Sequence, residues 1–161
     1  MSTMTSKPTK SESLLRIERE LGVLIHRWRR RVVHNAAAVH TELQPAALPV
    51  LLFVVDNEGV RASDVVEHFG IDKGAISRHV VHLEALGLIA RTCDPDDRRA
   101  QTLVPTDLAR TRVAEVRADR RRDVARRLSD WSADDIAALA DQLGRYNASL
   151  ETRSDEPADE D

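Results

Sequence analysis

The chain is poor in the residues that staple, stack or coordinate. A single cysteine, Cys93, among 161 residues rules out an internal disulfide and a thiolate zinc cage. Aromatic residues make up 3%, so Leu, Val, Ile and Ala must supply the packing. Nothing approaches the ~20 consecutive apolar residues of a membrane span, and the polar N-terminus has no signal-peptide apolar region. A cytoplasmic protein without membrane attachment is expected. Also missing are a Gly-rich phosphate loop, a nucleophile motif and metal-ligand spacing, which argues against an enzyme, a cofactor and a metal. His26, His34 and His40 follow one another at uneven steps. Carboxylate pairs such as Asp134–Asp135 sit where a helix begins, and capping explains them.

What is present is a 42% apolar fraction, enough for a core, and a 32% charged fraction. Arg greatly outnumbers Lys, and Arg is the better side chain for forked contacts to phosphate and guanine. The net charge of −3 is unevenly spread. From Glu151 onward six carboxylates face Arg153 alone, so the tail holds −5 and the rest of the chain +2. With no apolar periodicity, residues 151–161 read as a disordered acidic tail.

Residues 1–10, rich in Ser, Thr and Lys, read as a flexible arm. Leu14, Ile17, Leu21, Leu24, Ile25, Trp28 and Val32 then recur at helical spacing, predicting a long amphipathic helix to about Val39. Pro45 suits a first helical turn before the apolar run Leu48–Val55. Pro49 then requires that helix to start later or to bend. Ser63 is expected to cap a helix through Phe69, closed by Gly70, and Asp72 to cap the next, which buries Ile76, Val80, Leu83 and Leu86 and stops at Gly87. Residues 88–91 and 101–104 read as two short strands flanking an exposed loop from Cys93 to Ala100. Thr106 caps a further long helix, and Ser132 with Asp135 resembles a capping box for the last one.

Two short helices joined by Gly70-Ile71-Asp72 and followed at once by a hairpin have the order of a winged helix-turn-helix. The expected fold is therefore mainly α with a small β wing. A winged helix-turn-helix lobe over 43–105 is flanked by helices at 11–42 and 106–150. The second helix of the pair offers Lys73, Ser77, Arg78, His79 and His82 opposite its apolar stripe. Such a face can enter the major groove, with Arg78 forked onto guanine and Ser77 or His79 reaching a base edge or phosphate. The alternative is an ordinary solvated face. Arg98 and Arg99 at the hairpin tip suit the minor groove, whose negative potential draws guanidinium groups. Asp97 would orient one of them.

The run Val65-Val66, Ile76-Ser77-Arg78, Leu83-Glu84, Gly87-Leu88-Ile89, Arg91 and Pro95-Asp96-Asp97-Arg98-Arg99 resembles the MarR family of bacterial regulators over nearly the whole ordered chain. The resemblance implies a homodimer interlocked through its terminal helices on a near-palindromic operator of double-stranded DNA. It makes Arg99 the minor-groove arginine, Asp97 its orienting carboxylate and Arg98 a more structural neighbour. It further implies a small lipophilic or phenolic effector, for which Trp28, Arg31, His34 and Phe53 are candidates, although Trp28 and Phe53 also read as plain core. Two departures stand out. Pro105 should end the second wing strand, and Ala109 replaces a family glycine, which strengthens the following helix. The family's hydroperoxide sensors carry their cysteine near the N-terminus, where this chain has none; the isolated Cys93 reads as inert, with redox sensing beside the wing as the open alternative. Repression is the expected outcome. The competing function is a winged-helix module that docks proteins and binds no DNA, using Arg120-Arg121-Arg122 and Arg126-Arg127.

Overall fold

A computed structural model describes residues 9–93 and 101–151. Residues 1–8 of the expected arm, residues 152–161 of the expected acidic tail and the tip residues Asp97, Arg98 and Arg99 lie outside the described residues. The chain divides into two compact units, residues 1–117 and 118–161. It is mainly helical with one three-stranded antiparallel sheet, ordered β1-β3-β2.

Helix α1 (Lys10–Val39) opens on a reciprocal cap. The Glu12 amide donates to Thr9 Oγ1 at 3.2 Å, and the Thr9 amide donates to the Glu12 carboxylate at 2.7 Å. Only Ala36 and Val39 of this helix are buried. The Pro49 question resolves in favour of a late start. A 3-10 turn at Pro45–Ala47 precedes α2 (Leu48–Asp56), so Pro49 occupies the second helical position, where no N–H is needed. Leu48, Val50, Leu51 and Val54 carry α2 into the core.

Strand β1 (Val60–Arg61) was not foreseen. It pairs with β3, matching Val60 to Leu103 and Arg61 to Thr102. Helix α3 follows at once (Ala62–Phe69), which corrects the expected cap. Arg61, in extended backbone, takes the N-cap position and Ser63 lies inside the first turn. The Asp64 carboxylate reaches back to accept from the Arg61 amide at 2.8 Å. Gly70 ends α3 in the left-handed region at φ 59°, and Asp72 caps α4 (Lys73–Ala85) by accepting from the Ala75 amide at 2.9 Å. The far end of α4 closes as a Schellman motif, with the Leu88 amide on the Leu83 carbonyl and the Gly87 amide on the Glu84 carbonyl.

Strands β2 (Ile89–Cys93) and β3 (Gln101–Pro105) pair from Ile89 opposite Pro105 to Cys93 opposite Gln101. β3 ends at Pro105, as expected. Thr106 then links two elements, its hydroxyl donating to the Gly87 carbonyl at 2.8 Å while accepting from the Ala109 amide at the start of α5 (Asp107–Arg127). Among the described residues, every buried hydrophobic residue lies between Ala36 and Val113. In the second unit, Ser132 Oγ accepts from the Asp135 amide at 3.1 Å and donates to the Asp135 carboxylate at 2.7 Å, at the start of α6 (Ala133–Glu151). Its apolar positions Ile136, Leu139, Leu143, Tyr146 and Leu150 are all exposed.

Candidate nucleic-acid interface

Helix α4 owes its position to its buried stripe. Ile76, Val80 and Leu83 are 1% exposed or less, and α4 packs against α2, α3 and the 3-10 turn. This fixes which face looks outward. Lys73, Ser77, Arg78 and Val81 are exposed along it. Neither Lys73 nor Arg78 has an ion-pair partner among the described residues, so both charges face solvent at the helix start, where free backbone N–H groups also favour anions. Gly74 makes room for this arrangement. A Cβ there would stand 2.8 Å from the capping Asp72 Oδ2 and 3.5 Å from Arg78 Nη1.

The two histidines differ from their exposed neighbours. His79 is half-buried, and its pKa is lowered by burial first and then by the charges of Arg78 and His82. It is therefore neutral at pH 7 and offers hydrogen bonds rather than charge. His82 Nε2 accepts from the backbone amide of Gln44 at 3.2 Å, so that edge of the ring ties α4 to the segment before α2. Glu84 at the end of α4 pairs with Arg91 on β2 at 2.9 Å, bracing the helix against the hairpin. Val81 escaped the sequence reading because an apolar residue off the buried stripe has no place in a binary pattern. It is 56% exposed, in the middle of the outward face.

The hairpin is described up to the Cys93–Gln101 pair, with the hydroxyls of Thr92 and Thr102 bonded across it at 3.0 Å. Cys93 is exposed on β2. The proposed effector residues sit as follows. Phe53 stacks on His68 of α3 with ring centroids 4.3 Å apart and meets Phe69 edge-on. Trp28 and His34 are exposed on α1, and Arg31 is half-buried there. Among the described residues no group of three or more His, Cys, Asp or Glu side chains is placed to hold a metal ion, and no helix is long and apolar enough to cross a membrane.

Comparison with known proteins agrees with this geometry. The family model described as "MarR family" matches residues 41–100, which run from the end of α1 to the hairpin. The HTH-type transcriptional regulator YdgJ of Bacillus subtilis is 28% identical over 110 residues, spanning 68% of this chain and 67% of its own. The HTH-type transcriptional repressor MdtR of the same organism is 30% identical over 108 residues, spanning 67% of this chain and 70% of its own. In fold, a MarR family protein from Bacillus stearothermophilus superposes with a TM-score of 0.73 at 16% identity, covering 89% of this chain and 99% of that one. With its helix-turn-helix, its hairpin and these relatives, the chain belongs to the MarR family of transcriptional regulators.

Proposed function

We propose that the protein binds a near-palindromic operator in double-stranded DNA as a homodimer and represses transcription there. The observation that carries this is the outward face of α4, with Lys73, Ser77 and Arg78 exposed at its N-terminal half and neither cation ion-paired among the described residues. In the major groove Arg78 forks onto a guanine edge, while Lys73 and Ser77 hold the flanking phosphates. His79 and His82 complete the contact from the flank of the helix. Arg99, oriented by Asp97 and flanked by the more structural Arg98, takes the adjoining minor groove. Two copies associate through the apolar residues that α1 and α6 leave exposed. A lipophilic or phenolic effector beside Trp28, Arg31, His34 and Phe53 would release the operator by shifting the spacing of the two recognition helices.

A mobility-shift titration on the DNA adjoining the protein's own gene tests this. A discrete complex is expected, with affinity falling steeply as salt rises and counterions are released. In that complex Arg78→Ala costs about 1–3 kcal/mol of discrimination at one base pair of each half-site. Arg78→Ala binding as selectively as the parent would move the reading element off α4. The absence of any duplex complex would leave the protein-docking function in its place.

A further inference from the structure

We propose that Val81 is a specificity determinant that reads the 5-methyl group of a thymine beside the base read by Arg78; this rests on α4 being the reading helix. Along the outward face, Val81 follows Ser77 and Arg78 by one turn and precedes Ala85 by one turn, and all four are exposed. Two of the polar side chains around it make contacts within the chain, and a third carries no charge. His82 Nε2 is held by the Gln44 amide, Glu84 by Arg91, and His79 is half-buried and neutral. The N-terminal half of the face is thus charged and the C-terminal half apolar, with the Val81 isopropyl group at its centre.

The thymine methyl is the apolar feature of the major-groove edge, so an apolar side chain here selects thymine over every other base. Arg78 and Val81 are separated by about 4.5 Å of helix rise. That is close to the ~3.4 Å spacing of bases along one strand, which places the two side chains over neighbouring positions. Val81 is exposed in the free protein and caps no helix, so shortening it leaves the fold intact.

The test begins with selection of bound duplexes from a random-sequence library by the full chain. Each thymine of the enriched half-site is then replaced in turn by deoxyuridine, which removes only the methyl group. At one thymine per half-site the parent protein should lose about fourfold in affinity, the worth of one methyl kept from water. Val81→Ala should bind the thymine duplex weaker by a similar factor and should not distinguish thymine from deoxyuridine there. A parent protein indifferent to every replacement, or a Val81→Ala protein that keeps the full preference, overturns the assignment while α4 remains the reading helix. A library that yields no enriched duplex overturns DNA reading itself, and Val81 with it.

Discussion

The chain handles its apolar surface in two opposite ways. Between Ala36 and Val113 each apolar stripe meets another within the same chain, and Leu51, Val54, Val65 and Leu83 are fully buried. In α6 the same kind of stripe stays largely open: Ile136, Leu139, Leu143, Tyr146 and Leu150 are 37–52% exposed. The first two-thirds of α1 leave Leu14, Ile17, Leu24, Ile25 and Trp28 at least half exposed. A helix with an uncovered apolar stripe draws little stability from its own turns, because most helical stability comes from packing. The lobe thus carries its own core, and the open stripes of α1 and α6 are the surface through which the proposed dimer would form. Replacing Leu139 and Leu143 together by Asp should convert the proposed dimer to monomer in sedimentation velocity. It should also weaken operator binding by about 10²–10⁴-fold, the share contributed by linking two half-sites. A variant that sediments as a dimer would remove α6 from the interface and break the contrast.

The lobe supplies the counterpart. Leu51→Ala deletes a fully buried side chain and should lower unfolding stability by about 2–5 kcal/mol, read as a shift of the urea midpoint. Sedimentation at a pH and temperature where the variant stays folded should still show a dimer. If association fell as far as stability, the two regions would form one cooperative unit.

Much of the lobe was legible because its signals are local. Gly70, Asp72 and Gly87 set the ends of α3 and α4 through bonds spanning six residues or fewer, and periodicity alone exposes the α4 stripe. What escaped depends on distant partners. Val60 and Arg61 become a strand only because Leu103 and Thr102, more than forty positions on, stand beside them. His82 shares the polar side of α4 in sequence, yet Gln44, 38 residues earlier, occupies its Nε2. Ser63 has the preferred side chain for a cap, but strand pairing of Arg61 starts the helix earlier and Asp64 takes over the capping bond. Flank helices were visible as amphipathic, but a stripe alone names no partner.

A smaller effect probes whether α4 is rigid before it meets DNA. Asp72 supplies one acceptor to the free N–H groups of α4, and Asp72→Ala should cost about 0.5–2 kcal/mol of lobe stability. The same change removes a carboxylate from beside Lys73 and Arg78, so its effect on operator affinity should be weaker than its effect on stability. Hydrogen exchange at Ala75 should accelerate without a matching change in α6. Equal acceleration in both would mean that the cap acts on the whole chain.

The smallest effect separates the regions by pH. All six histidines lie within residues 1–117, and residues 118–161 contain none. The His79 pKa is lowered from 6.5 by burial and by the neighbouring charges of Arg78 and His82. In the window between the folded and unfolded values the unfolded chain binds more protons, so acid favours unfolding. The stability that neutral His79 contributes is complete above pH 6.5 and is lost as pH falls through the lowered folded value. Urea midpoints taken between pH 7.5 and 5.5 should therefore decline more for the parent than for His79→Gln, while α6, without a histidine, contributes no such slope to association. Parallel declines in the two proteins would show that His79 titrates alike in the folded and unfolded chains, and would place the acid sensitivity of the lobe at another histidine.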